Sequence, residues 1–216
     1  MYKKSFLTIA VVLIIISFMT VSWAAELSAI KLPPPNLNSG KSLMQSLQAR
    51  KSSRDFSTKK IPVQIISNLL WAACGINRPE SGKRTAPSAV NWQEIDIYVA
   101  MAEGLYLYNA KEHILKPVLN RDIRALTGKQ SFVKEAPVNL IYVADFSKIS
   151  KADIEEKNLY SAADTGFISQ NVYLYCASEG LATVIRGMID KDALSKAMNL
   201  TDNQKIILAQ TVGYPE

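Results

Sequence analysis

Residues 166–187 read GFISQNVYLYCASEGLATVIRG. From Asp164 onward, apolar and small residues recur at helical spacing on several sides of the predicted helix, which ends at Gly180. A helix without a wholly polar face has to be covered by other elements on most of its surface. A short apolar segment, Leu181 to Arg186, follows it directly. This stretch therefore predicts a long central helix followed by a buried segment.

The residues around this helix carry strand patterns. Pro137 to Ala144 (PVNLIYVA) is a short apolar run bounded by Pro and Asp, which predicts a buried strand, and Ile206 to Val212 predicts another. Ile95 to Met101 alternates as a strand does. Gly104 then turns the chain into Leu105 to Tyr108, which predicts an antiparallel hairpin with a second turn after it. Mixed helices and antiparallel strands indicate the α+β class.

Three further helices are predicted along the chain. They run from Ser42 to the basic cluster at Arg50, from Pro62 to Gly75 as a C-cap, and from Lys191 to Met198. Residues 77–89 are predicted to be loop. Residues 25–40 contain Pro33-Pro34-Pro35 and predict a stiff, extended linker, so the folded domain is expected to cover residues 41–216.

The N-terminus has the pattern of a secretory signal. Lys3 and Lys4 precede an apolar run from Phe6 to Met19, and Ser22-Trp23-Ala24 places small residues where a signal peptidase cleaves. We therefore expect residues 1–24 to be a signal peptide and the protein to be exported, either periplasmic or secreted. The alternative is an uncleaved anchor, since the apolar stretch approaches the roughly 20 residues that span a membrane.

Charge and cysteine content exclude several classes of function. The net charge of +6 falls to about +4 without Lys3 and Lys4, and it is spread without a block of like charges, so nucleic-acid binding is not expected. Cys74 and Cys176 lie in apolar helical stretches and are interpreted as buried free thiols. They lack metal-ligand spacing, and His113 is the single histidine, so neither a zinc site nor a histidine-based triad is expected.

The cluster Arg50-Lys51-Ser52-Ser53-Arg54 is the first candidate for chemistry. Two guanidinium groups, a hydroxyl and the Lys51 ammonium within five residues are suited to a phosphate, which they can hold by charge-assisted hydrogen bonds. The alternative is a solvated basic helix end, which the helix macrodipole favours.

Two further segments contain polar groups that could contact a ligand. Residues 87–93 (PSAVNWQ) offer neutral donors and acceptors through Ser88, Asn91 and Gln93, which suit the edge of a polar heterocycle or ordinary turn chemistry. The glycine of Ile185-Arg186-Gly187 allows backbone N–H groups to approach a ligand, unless the segment is a plain connection. Neither GxGxxG nor GxxxxGK is present, so a Rossmann or P-loop nucleotide site is not supported.

Together and in this order, the segments resemble the nitroreductase family of flavoproteins. The resemblance is greatest to its branch of peptide-azoline (thiazole- or oxazole-forming) dehydrogenases. The matching pieces span most of residues 42–215 and are ARKSSRDF, LLWAACGINR, RTAPSAVNWQ, EGLYLYNAKEHIL, KEAPVNLIYVADF, GFISQNVYLYCASEGLATVIRG and ILAQTVGYP.

The resemblance implies a nitroreductase-like α+β sandwich, with a central, mostly antiparallel sheet flanked by helices, that forms a homodimer holding FMN at the subunit interface. The site residues that it implies are Arg50, Lys51, Ser52 and Arg54 near the phosphate and ring edge, Pro87, Ser88, Ala89 and Asn91 from the partner subunit, Gln130 at the pyrimidine side, and the backbone of Arg186 and Gly187 at the reactive edge. Arg186 stands where several members have Glu or Gly, which changes the charge near the flavin. No residue is assigned a covalent catalytic role.

The implied reaction passes a hydride through FMN to or from a small organic substrate, which is a nitroaromatic, a quinone or an azoline-like ring. NAD(P)H is the candidate electron donor. Many members supply a late Lys or Arg to the phosphate, whereas this sequence stops at Glu216, so we expect the first cluster, supplemented by Arg84, to hold the phosphate. The alternatives are a flavin- or ligand-binding module without turnover and a membrane-tethered partner protein that has lost FMN.

We predict that the exported protein begins near Ala25, because the N-terminus has a short charged region and the Ser22-x-Ala24 cleavage site. N-terminal sequencing of the protein recovered from outside the cytoplasm checks this. Material that still begins at Met1 would show that the segment is an anchor.

Overall fold

The structure, a computed structural model, describes residues 26–216, so the predicted signal peptide at residues 1–24 lies outside the described residues. The strands are β1 (Ile30–Lys31), β2 (Ile76–Arg78), β3 (Lys83–Arg84), β4 (Ile95–Met101), β5 (Gly104–Asn109), β6 (Ile114–Leu119), β7 (Val138–Asp145), β8 (Ala182–Arg186) and β9 (Gln204–Gly213). The helices are α1 (Leu43–Ala49), α2 (Val63–Cys74), α3 (Ile154–Glu179) and α4 (Lys191–Met198).

Strand β7 lies inside a seven-stranded sheet of order β1-β6-β5-β4-β7-β9-β8, in which neighbouring strands are antiparallel. Its residues up to Ala144 are all buried, because both faces of the sheet are covered. Leu140 and Tyr142 pack on one face with α2 and α3. Ile141 and Val143 pack on the other face with α4. The predicted α+β sandwich with an antiparallel central sheet is confirmed.

Several predicted elements agree closely with the structure. The bounds predicted for β4 and α4 match those observed, and the Gly104 turn does join β4 to β5 as a hairpin. Cys74 and Cys176 are buried and free, as predicted. Gly75 caps α2, but its φ of −73° shows that left-handed backbone is not the reason for glycine there. Instead, a Cβ at Gly75 would lie 2.5 Å from Cδ1 of Trp71.

The predicted start of the central helix at Asp164 is wrong, because α3 begins ten residues earlier. Asp153 caps α3 and forms a capping box with Glu156, in which each side chain accepts from the other residue's backbone N–H. Leu159 and much of the first three turns are exposed, so no buried stripe marks this part of the helix in the sequence. The predicted C-terminus is confirmed, since Gly180 ends α3 with φ of 73°.

The boundary predicted at residue 41 is also wrong, because the preceding segment packs against the domain. Ile30 pairs with Leu115 of β6, and Leu32 is only 4% exposed. The Ser67 hydroxyl donates to the Pro33 carbonyl and lies 2.7 Å from Nε2 of His113. A two-residue strand carries too little periodicity to be recognised from sequence.

The predicted loop at residues 77–89 needs a similar correction, because β2 and β3 form a small antiparallel hairpin within it. His113, the single histidine, is half-buried, and burial lowers its pKa by disfavouring the imidazolium. Within residues 26–216, no helix is long and apolar enough to cross a membrane.

Candidate functional site

The basic cluster at residues 50–54 is fixed to α3 and β8. Arg50 ends α1, with its backbone N–H donating to the Ser46 carbonyl at 2.9 Å, and its guanidinium lies 5.5 Å from the ring centroid of Tyr173. The Ser52 hydroxyl lies 2.8 Å from the Tyr173 hydroxyl, which also accepts from the Ile185 N–H at 3.0 Å. The backbone of the cluster is therefore held rigidly, while its cationic side chains remain exposed.

The positive charge of this cluster is uncompensated. Among the residues that the structure describes, no carboxylate oxygen lies within 4 Å of a cationic nitrogen of Arg50, Lys51 or Arg54. Lys51 lines a cavity of about 330 Å³ beside Tyr173, and Arg54 lines a second cavity of about 980 Å³ that also contains Gln130. Arg50 lines neither cavity, and Asp55, Glu135 and Glu216 also line the cavity of Arg54. The three cations, none of them in an ion pair, nevertheless concentrate positive charge at residues 50–54, which suits an anionic group there.

Arg186 does not point into these cavities, because its side chain is buried and 4% exposed. Nε donates to the Thr211 hydroxyl at 3.0 Å, Nη1 to the Thr127 carbonyl at 2.7 Å, and Nη2 to Oδ1 of Asn139 at 2.8 Å. All these acceptors are neutral, and desolvation lowers the pKa of Arg186 to about 10, so it stays charged at neutral pH. The Arg186 side chain, expected to change the charge near a flavin, is therefore a buried guanidinium. It connects β8 with β7, β9 and the turn at Thr127.

Gln130 lies next to this guanidinium. A Cβ at Gly128 would be 1.9 Å from Nη1 of Arg186 and 2.8 Å from Oε1 of Gln130, so both side chains pack against Gly128. Oε1 of Gln130 is buried and has no donor among the described residues. Gly187 is exposed at the end of β8, and the neighbouring Met188 carbonyl accepts from the Lys129 N–H at 3.1 Å. The structure therefore brings Gln130 and Gly187 into one neighbourhood.

The segment from Pro87 to Asn91 lies elsewhere, beside the middle of α3. The Ala89 N–H donates to Oδ2 of Asp164 at 2.9 Å, and the Gln93 N–H donates to the Ser88 hydroxyl at 3.1 Å. Pro87 and Asn91 are exposed, while Ser88 and Ala89 are half-buried.

The two groups of predicted site residues do not meet within one chain. Asp164 anchors the Pro87–Asn91 segment, and Tyr173 anchors the basic cluster. Nine residues of helix separate these anchors, which corresponds to about 13.5 Å along the axis and half a turn around it. Arg84, expected to supplement the phosphate cluster, also lies near Asp164, with Nη1 donating to Sγ of Cys74 at 3.0 Å.

The residues present fit FMN in two respects. The three uncompensated cations of the cluster provide the charge that a phosphate needs. The orphaned acceptor of Gln130 can be satisfied by an N–H of a flavin's pyrimidine edge, and buried acceptors without donors are rare unless a ligand or water supplies one. No group of three or more His, Cys, Asp or Glu side chains within the described residues could hold a metal ion.

Sequence reasoning missed the residues that support this site. Tyr173 and Asp164 were placed in the central helix without a role, and Glu94, whose side chain is fully buried beside Asp164, was not singled out. A charged residue immediately before the alternating strand β4 was the available signal for Glu94. Asn139 and Thr211, which bind Arg186, stand within apolar strand sequences that gave no indication of their partner.

Comparison with known proteins identifies the family. The family model described as "Nitroreductase family" matches residues 47–214. The candidate nitroreductase MJ1384 of Methanocaldococcus jannaschii is 27% identical over 169 residues, which cover 74% of this chain and 85% of that protein. The NADPH-flavin oxidoreductase of Vibrio harveyi is 25% identical over 103 residues, covering 44% of this chain and 43% of that protein.

Solved structures show the same fold. A candidate nitroreductase from Ralstonia eutropha JMP134 superposes with a TM-score of 0.84 and 40% identity, covering 91% of this chain and 92% of that one. A chain of the Escherichia coli microcin synthetase McbBCD complex with truncated pro-MccB17 has a TM-score of 0.67 and 21% identity, covering 86% and 77%. The second likeness concerns the fold alone, so it does not confirm the predicted dehydrogenase branch.

We predict that Gly128→Ala destabilises the protein by about 1–3 kcal/mol, because the new methyl overpacks the Arg186 guanidinium and displaces it from its buried acceptors. Urea unfolding of the protein without added ligand measures the change. Gly187→Ala is the matched control, since a Cβ there meets only Cδ2 of Leu208 at 3.5 Å. Equal stability of the two variants would show that the Arg186 contacts are unimportant for the fold.

Proposed function

The chain belongs to the nitroreductase family, and from this we propose that it is an FMN-dependent oxidoreductase that passes a hydride to or from a small organic substrate. The observation that supports this most is the set of cations at Arg50, Lys51 and Arg54, none of which is in an ion pair and two of which, Lys51 and Arg54, each line a cavity. FMN, when bound, supplies the hydride-transferring group, so the protein needs no nucleophile of its own. Its residues bind and orient the reactants.

The phosphate end of the site is proposed to be the basic cluster. Arg50 and Arg54 present planar guanidinium groups that suit phosphate oxygens, and Lys51 adds a point charge. Ser52 is held by Tyr173 at 2.8 Å, which fixes the direction of its hydroxyl. The stacking of Arg50 on Tyr173 limits the conformations of its side chain and reduces the entropy lost on binding an anion.

The ring end is proposed to lie between Gln130 and Gly187. Oε1 of Gln130 would accept a hydrogen bond that it lacks otherwise. The exposed backbone at Gly187 has no side chain to keep a flat ring away. Arg186 contributes from beneath by fixing the Thr127 turn, which leads into Gly128 and Gln130.

A homodimer is proposed to complete the site. Along α3, exposed Leu159, Ala163, Gly166 and Phe167 recur at spacings of three and four, so they form an unpartnered stripe with small residues at its centre. Packing this stripe against a second copy would bury it. The Pro87–Asn91 segment, about 13.5 Å along α3 from the phosphate cluster's anchor, would then serve the site of the other subunit.

The natural substrate and the electron donor are a further part of the proposal. Nitroaromatic, quinone and azoline-like substrates, and NAD(P)H as donor, remain proposals. The NADPH-flavin oxidoreductase of Vibrio harveyi is a relative whose name includes that cofactor. Export is likewise proposed from residues 3–24. Turnover of NAD(P)H with a quinone or nitroaromatic acceptor would distinguish an enzyme from a flavin-binding module without activity.

We predict that Arg50→Ala weakens FMN binding roughly 10- to 150-fold, because a hydrogen bond to a charged group contributes about 1.5–3 kcal/mol. Riboflavin affinity should barely change, since riboflavin lacks the phosphate. Flavin fluorescence titration of the unliganded protein measures both affinities.

Lys59→Ala is the matched control for this variant. Lys59 also stacks on a tyrosine, with Nζ 4.6 Å from the Tyr214 ring centroid, but it lies outside the cluster, so its loss should leave both affinities unchanged. An Arg50→Ala protein that loses FMN and riboflavin affinity equally, or neither, would show that the cluster is only a solvated helix end.

We also predict that Phe167→Glu converts the protein from dimer to monomer and abolishes tight FMN binding. Phe167 is 48% exposed on the α3 stripe, and a charge there would be buried in an interface that typically covers about 2,000 Å² or more in stable dimers. Sedimentation velocity at micromolar concentration measures the association state.

Val118→Glu is the control for an added surface charge, because Val118 lies on β6, which the three strands β5, β4 and β7 separate from β9. That variant should remain dimeric. A wild-type protein that sediments as an FMN-loaded monomer would contradict the shared site.

A further inference from the structure

Two buried carboxyl groups, those of Glu94 and Asp164, lie close together beside the middle of α3. Glu94, immediately before β4, is 0% exposed, and Asp164 is 2% exposed. The Glu94 carboxyl lies close enough to Asp164 to share a hydrogen bond with it, and the neighbouring Ser161 hydroxyl is buried without a hydrogen-bond partner among the described residues. Neither Glu94 oxygen has a conventional donor among residues 26–216 with the carboxyl ionised.

No cation neutralises this pair. No Lys, Arg or His nitrogen of the described chain lies within 4 Å of either carboxyl group. The Arg84 guanidinium from β3 lines the same small cavity but donates to the Cys74 thiol of α2 at 3.0 Å. Asp96, two residues along, is paired with Lys148 at 2.7 Å. Two adjacent buried carboxylates without a cation cannot both be ionised at low cost.

The direction of the hydrogen bonds decides which group keeps the proton. Oδ2 of Asp164 already accepts from the Ala89 N–H at 2.9 Å, which favours the charged form of Asp164. A protonated Glu94 can donate to Asp164, so the proton gains an acceptor and the Asp164 carboxylate gains a second donor besides the Ala89 N–H. Burial is the main cause that raises the pKa of Glu94, and the nearby charge of Asp164 adds to it.

The turn that Asp164 holds has a strained backbone. Val90, Asn91 and Gln93 have φ of 49°, 59° and 51°, in the left-handed region, and a β-branched residue such as Val90 is rarely found there. Val90 is also 84% exposed, so burial of its side chain does not stabilise this conformation. Backbone hydrogen bonds from Asn91 to Ser88 at 3.1 Å and from Trp92 to Ala89 at 2.9 Å close the turn, and the contacts of Asp164 with Ala89 and of Ser88 with Gln93 add to them.

We infer that Glu94 and Asp164 are positioning residues that share one proton, and that this proton holds the Ser88–Gln93 turn in its strained conformation. Loss of the proton leaves two repelling carboxylates against the turn and releases Ala89. The consequence for FMN rests on the function proposed above, in which this turn serves the neighbouring subunit's site, so the turn would loosen and FMN affinity would fall as the pH rises.

The sign of the pH dependence is opposite to that of a salt-bridged carboxylate. Because the pKa of Glu94 is raised from its ordinary value of 4.5, the folded state keeps a proton that the unfolded state has released. The stabilisation is complete below that value and is lost as the pH rises through the raised pKa. Within this window the unfolding constant increases by up to about tenfold per pH unit from this one proton.

Urea unfolding of wild type and Glu94→Gln from pH 4.5 to 9 tests the inference. The glutamine amide donates to Asp164 without titrating, so the ratio of the two unfolding constants isolates the shared proton from His113 and other groups. We expect wild type to lose stability relative to Glu94→Gln by up to about tenfold per pH unit. Glu80→Gln, at an exposed position, should run parallel to wild type.

Amide hydrogen exchange of wild type provides a second measurement that needs no variant to fold. After correction for intrinsic exchange, protection of the Ala89 amide should decrease at high pH while that of the β7 amides is kept. Parallel unfolding curves for wild type and Glu94→Gln, or Ala89 protection independent of pH, would overturn the shared proton. FMN that fails to bind at any pH would count against the proposed function and leave the shared proton intact.

Discussion

The architecture depends on α3, because one helix anchors both halves of the candidate site. Tyr173 holds the basic cluster through Ser52 and also receives the Ile185 N–H of β8. Asp164, two and a half turns away, holds the Ala89 backbone. The two halves point to different sides of the same rigid element, so a single chain keeps them apart. In the homodimer proposed above, a second copy of α3 beside the first would bring the two halves together, so dimer formation and cofactor binding would depend on the same contact.

The sheet could be predicted from sequence, whereas its connections to the surrounding segments could not. PVNLIYVA is apolar except for Asn139 because β7 is covered on both faces, and such a run predicts a buried strand. The first ten residues of α3 lack such a stripe, since their apolar side chains face outward. The segment at Ile30–Lys31 joins the sheet through backbone hydrogen bonds, which any sequence can form. Burial of side chains produces a hydrophobic pattern in the sequence, whereas backbone pairing produces no such pattern.

The candidate site shows the same division. Arg50, Lys51, Ser52 and Arg54 were recognisable because they fall within five residues of sequence, where a high local charge density is visible. The contact between Arg186 and Asn139 spans 47 residues, and Glu94 meets Asp164 across 70. Polar residues inside apolar strands look like exceptions to a pattern until their partners are known. The supporting residues of a site are therefore those that a single sequence conceals most completely.

Further buried polar residues form a hydrogen-bonded layer within the core beneath the site. The Tyr142 hydroxyl donates to Gln210 at 2.6 Å, Gln210 donates to Thr183 at 3.1 Å, and Thr183 donates to the Thr211 carbonyl at 2.8 Å. Thr211 in turn meets Arg186. A buried polar group that loses its hydrogen-bond partner destabilises the folded state. This series of hydrogen bonds therefore has few alternative arrangements, whereas an apolar core tolerates repacking. The layer thus fixes β8 and the Thr127 turn relative to each other, and the positions of Gly187 and Gln130 follow from it.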